Sequence, residues 1–152
     1  MGLLDNYSPN GLGMSPKADY KHALIMDAVY LLIRDNIDRK KRRVLQQTQM
    51  IPKLLNSKVP DVIVYKRTKD IYNDYPIVFI EIEHSKREKK TEEKLIEEMK
   101  LKKVNEAFLY NYQTGIWKKY VNTDIIKSKN KLASWSDILN LDLSLFKDYF
   151  ED

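Results

Sequence analysis

The chain lacks cysteine altogether, and histidine is limited to His22 and His84. Without cysteine there is no disulfide scaffold, no thiolate metal site and no cysteine nucleophile. With two histidines a three-His zinc site cannot be built, so a metal would rest mainly on oxygen ligands, which suits Mg²⁺, Mn²⁺ or Ca²⁺. Glycine and proline are sparse, at 4 and 5 of 152 residues, which argues against a fibrous or loop-dominated chain. No apolar run approaches the ~20 residues of a membrane helix. The N-terminal Met1-Gly2-Leu3-Leu4-Asp5-Asn6 has no basic region followed by an apolar one, and Asn6 breaks the myristoylation pattern. The expected location is the cytoplasm, with no membrane partner.

What is present is a charged globular composition: 43% apolar, 32% charged, and 27 basic against 22 acidic residues, a net charge of +5. The length fits one domain with one core. The charge balance permits a polyanionic partner without requiring one.

Residues 1–16, with Asn10-Gly11, Gly13 and two prolines, read as a flexible N-terminal arm, leaving 17–152 as a single domain. A helix is expected over 17–37, with Leu24, Ile25, Ala28, Val29, Leu32 and Ile33 as its core stripe. The basic run Arg39 to Arg43 reads as a solvated turn; the alternative is that it and Lys86 to Lys90 track phosphates where they fall on the active face. Strands are expected over 43–51, 59–65 and 76–83, the last being the most apolar run in the chain, with a turn at Asn56-Ser57-Lys58. A Glu/Lys-rich helix follows over 88–103, then a strand over 106–112, a turn at 113–115 and a hairpin partner over 116–121. The tail from Ala133 is apolar enough to dock as a short helix over the sheet. This order of elements indicates an α/β or α+β fold with a mixed sheet.

The informative feature is the end of the apolar strand. Alternation places Ile77, Phe79, Glu81 and Glu83 on one face and Val78, Ile80 and Ile82 on the other. Two partly buried carboxylates two residues apart repel each other, and a divalent cation would relieve that repulsion. The alternative is a strand that emerges into water at Glu81. Asp61, near the start of the preceding strand, would approach Glu81 if the two strands pair. Its alternative role is a local turn cap. Together the three acids form a hard-oxygen set of the kind that positions Mg²⁺ against phosphates.

The segment Val59-Pro60-Asp61-Val62-Ile63-Val64-Tyr65, followed by Pro76-Ile77-Val78-Phe79-Ile80-Glu81-Ile82-Glu83, resembles the PD-(D/E)xK nuclease superfamily. Within it the chain is most similar to the Uma two family of candidate endonucleases. Ser85, Lys94, Phe108-Leu109-Tyr110, the upstream His22 and the closing Leu141-Asp142-Leu143 follow that family's order. The resemblance implies a restriction endonuclease-like mixed β-sheet flanked by helices and Mg²⁺- or Mn²⁺-dependent hydrolysis of nucleic acid, with DNA the expected partner. It also admits a homodimer, since nucleases that cut both strands are often dimeric. By the same resemblance Asp61 and Glu81 would be metal ligands, the Ile82 carbonyl would complete the coordination, and Glu83 would be a ligand or general base. Glu83 stands where the superfamily usually has lysine, so another cation must serve the site. Lys94 is the choice and Lys86 the competitor, while Asp27 is a further helix acid to consider. A catalytically degenerate nucleic-acid-binding or protein-interaction module of the same fold is the alternative.

Overall fold

A computed structural model describes residues 16–47, 60–122, 124–128 and 131–149. The expected arm therefore lies outside the described residues except for Pro16, which opens helix α1 (Pro16–Asn36). A proline at a first helical position sacrifices no hydrogen bond. Ile25, Met26, Ala28, Val29, Leu32 and Ile33 form the buried stripe of α1, whereas Leu24, expected in it, is exposed and Met26 takes its place. Asn36 Nδ2 donates to the Leu32 carbonyl at 2.8 Å, covering one of the last acceptors of the helix.

Six strands follow: β1 (Arg42–Gln46), β2 (Val62–Lys66), β3 (Tyr75–Glu83), β4 (Glu106–Asn111), β5 (Ile116–Val121) and β6 (Asp124–Ser128). They form one sheet in the order β1-β2-β3-β4-β5-β6, antiparallel throughout except for the parallel β3–β4 pair. A parallel neighbour needs a crossover, and helix α2 (Glu88–Lys102) supplies it. α2 ends at Lys103, which adopts left-handed backbone geometry with φ 58°. After β6 come a short α3 (Lys131–Ser134), the two-residue strands β7 (Trp135–Ser136) and β8 (Leu141–Asp142), which pair with each other, and a 3₁₀ segment, Leu143–Tyr149.

Both faces of the sheet are covered. α1 and the C-terminal segment pack Ile25, Val29, Leu143 and Phe146 against Val62, Val64, Val78, Ile80 and Phe108. α2 packs Leu95 and Met99 against Ile63, Phe79, Ala107 and Leu109 on the other face. Every residue of β4 is buried, as a strand covered on both sides requires.

Three sequence expectations are adjusted. The strand expected over 43–51 is observed as β1, and residues 48–59, including the turn expected at 56–58, lie outside the described residues. Ile77 does not share the face of Phe79. The β2–β3 register steps from Val64↔Val78 to Tyr65↔Pro76, which leaves Ile77 as the extra residue, and it packs with the α1-side cluster. The tail docks through Leu139, Leu141, Leu143 and Phe146, but its 137–140 section is a turn rather than a helix. Buried Glu106 holds it there by accepting from the Ser136 hydroxyl and, at 2.9 Å, from the Asp137 N–H. Lys119 bridges the same two acids, 3.7 Å from Glu106 and 2.7 Å from Asp137.

Candidate active site

β3 is longer than β2 at one end. Val62, the first residue of β2, sits opposite Ile80, so residues 81–83 of β3 have no β2 partner. The side chain of Asp61 occupies the vacated ladder position. Its Oδ2 accepts the Ile82 N–H at 2.8 Å, the bond a strand carbonyl would otherwise accept. The Asp61 N–H in turn donates to Glu81 Oε1 at 2.9 Å. Asp61, just ahead of β2, therefore caps its longer neighbour, and this reciprocal pair brings the two carboxylates together at the sheet end.

The third contributor is His22, from the first turns of α1. Its Nε2 donates to Asp61 Oδ2 at 3.0 Å. Burial alone would lower the imidazole pKa. The hydrogen bond to Asp61, the charges of Asp61 and Glu83, and a hydrogen bond to the Ile82 backbone together outweigh burial, so the pKa is raised from its ordinary 6.5. A sequence signal for His22 existed: it precedes Ile25 by three residues and Val29 by seven, in phase with the core stripe.

Glu81 retains only a partial opening to solvent. Burial pushes its carboxyl well above the ordinary range, and the negative charge of Asp61 and then that of Glu83 push the same way, against the lowering effect of the Asp61 N–H. Glu83, next along the same face, is tied differently. Its Oε2 accepts the Thr91 hydroxyl of α2 at 2.8 Å, its Oε1 accepts the His84 N–H at 3.0 Å, and Arg87 Nε lies 3.8 Å away. Thr91 and Arg87 are site neighbours that sequence reading did not single out. Asn111, at the end of β4, donates to the Ser85 hydroxyl at 3.0 Å and to Glu88 at 2.8 Å, fixing the turn after β3.

The structure thus gathers Asp61, Glu81, the Ile82 backbone and Glu83 at one sheet end, and adds His22. Lys94 lies on α2, three residues beyond Thr91 and so on the same flank of the helix, while Lys86 is exposed in the turn before it. Asp27 is exposed and accepts from Gln46 Nε2 at 3.2 Å. His84 meets the Tyr112 ring edge-on, with centroids 6.3 Å apart. Among the described residues, no three His, Asp or Glu side chains form a ready-made ligand set. The donor chemistry nonetheless fits a hard cation: oxygen donors dominate, and the electrostatic strain on Glu81 is of the kind a divalent ion relieves.

A six-stranded mixed sheet with helices on both faces is the restriction endonuclease-like architecture. The same architecture occurs in the crystal structure of a candidate nuclease of the family DUF820 from Anabaena variabilis. That structure superposes with a TM-score of 0.62 over 85% of this chain and 81% of its own, at 13% sequence identity. No family description matches the sequence, and no curated protein matches it.

Proposed function

We propose that the chain is a metal-dependent nuclease that hydrolyses DNA phosphodiester bonds. The observation carrying this reading is the reciprocal pairing of Asp61 and Glu81, in which Asp61 caps the Ile82 N–H and donates its own N–H to Glu81. The solved neighbour, itself described as a candidate nuclease, supports the same direction.

In this reading Asp61, Glu81 and the Ile82 carbonyl hold Mg²⁺ or Mn²⁺, with Glu83 as a ligand or base. Such an ion, when bound, polarises the phosphoryl oxygens and lowers the pKa of water. Glu83, steadied by the Thr91 hydroxyl, would orient the attacking water and take its proton. His22 holds Asp61 in the orientation the site needs. Lys94 supplies the charge that the superfamily lysine would bring to the developing oxyanion. Lys86 is its competitor, and Arg87 stands beside Glu83 as a further cation.

A chain that binds nucleic acid without cutting it is the second reading, favoured by Glu83 in the position usual for lysine. Two measurements decide. Mg²⁺ or Mn²⁺ should raise the melting temperature of the wild type and leave an Asp61→Asn/Glu81→Gln variant unmoved. Equal shifts in both proteins would sink the metal site. Plasmid nicking by the wild type and not by the variant separates cutting from binding.

A further inference from the structure

We infer that a basic cavity beside β1, remote from the acids, anchors the phosphodiester backbone of the nucleic acid; this rests on the nucleic-acid reading above. The cavity measures about 240 Å³, and Arg34, Arg39, Arg42, Arg43 and Arg67 all line it. Four elements bring them together. The last turns of α1 deliver Arg34, the following turn delivers Arg39, β1 opens with Arg42 and Arg43, and Arg67 follows β2. Register aligns Arg42 with Lys66, and the Arg67 N–H donates to the Lys41 carbonyl at 2.8 Å, closing the concavity.

Acids neutralise this charge only in part. Arg34 lies 3.4 Å from Asp35, and Arg43 lies 3.7 Å from Asp74. Arg67 spends a guanidinium N–H on the Arg39 carbonyl. Among the described residues, no acid pairs with Arg39 or Arg42. Five guanidinium groups around one small cavity repel each other, and their planar forks match phosphate oxygens.

Position favours a strand over a small phosphate. Asp61 precedes β2 and Arg67 follows it, so the acids and the cavity lie at opposite ends of that strand. Along α1, His22 and Arg34 are separated by about 18 Å at 1.5 Å per residue. At 3.4 Å per step, a nucleic-acid strand covers that distance in about five steps. Tyr72, 89% exposed, sits in the loop that the Asp74–Arg43 pair ties to the cavity, and it offers a free face for base stacking.

The test is anisotropy of a fluorescein-labelled DNA oligonucleotide over a salt series, with chelator present so that no strand is cut. In Arg39→Ala/Arg42→Ala the slope of log affinity against log salt should fall by about one per arginine removed. Arg42→Lys should restore most of its share. The exposed Arg39→Ala alone decides the matter if the double variant does not fold. An unchanged slope in folded protein overturns the inference. So does complete displacement of the oligonucleotide by inorganic phosphate at matched ionic strength, which would make the cavity a small-phosphate site. Plasmid nicking reports separately: nicking with an unchanged slope removes only the anchor, and an altered slope without nicking removes only the nuclease reading.

Discussion

Glu81 concentrates the electrostatic cost of the sheet end, since burial and two neighbouring acids all oppose its ionisation. Its folded-state pKa lies above the ordinary 4.5, so the folded chain binds the extra proton, and the associated stability fades as pH rises from that value through the raised one. Glu81→Gln keeps an acceptor for the Asp61 N–H and removes the charge. The variant should be more stable than wild type at neutral pH without metal, as chemical denaturation would measure. A second pH effect lies away from the acids. Tyr120 donates to Glu92 at 2.6 Å, and burial followed by the Glu92 bond raises its pKa above the ordinary 10.0. Above that pH the unfolded tyrosine loses its proton while the folded one keeps it, so stability falls as alkalinity increases. Tyr120→Phe should flatten this loss in melting curves taken across the alkaline range. The placement of the acids at one sheet end was legible because strand alternation is local and because the order of the Pro-Asp and Glu-Ile-Glu segments, neither specific alone, put them on neighbouring strands. His22 was harder to recognise, because α1 reaches the sheet end through packing between distant segments.

The elements differ in how openly the sequence announces them. α1, β3, β4 and β5 carry dense apolar periodicity, and they fall within a residue or so of expectation. β6 was not anticipated, because Asp124–Ser128 holds only two apolar residues and gains its place by pairing with β5. The C-terminal segment was expected to dock, but its turn and 3₁₀ geometry depend on Glu106, a buried acid on β4 that no local pattern links to Ser136 and Asp137. Glu106→Ala should leave the Ser136 hydroxyl and the Asp137 N–H without their acceptor and Lys119 with Asp137 alone, and cost about 1–3 kcal/mol, read from urea unfolding. Glu106→Gln should cost less, since it preserves one acceptor for the tail. A smaller loss for Ala than for Gln would show that the tail is held by apolar packing alone.

At the scale of the molecule, the parallel β3–β4 pair sets the architecture, because it forces α2 across one face and leaves the other to α1 and the tail. That topology also governs how the acids come to meet. The His22–Asp61 contact joins residues 39 apart in sequence, and the Asp61–Ile82 contact joins residues 21 apart. The second contact closes the open end of the β2–β3 hairpin, whereas the first must bring α1 onto that hairpin from a distant segment, so further loop-closure entropy is overcome before His22 joins the acids. A nascent or partly unfolded chain would then present scattered carboxylates with no shared grip on a cation. In refolding experiments, Mn²⁺ binding should return with the final tertiary signal and not with the earlier rise in helicity. A metal signal preceding native packing would mean that the acids assemble without the fold. On the nuclease reading proposed above, the Asp61 cap ties cation binding to the closing of the sheet end and makes it a late event of folding.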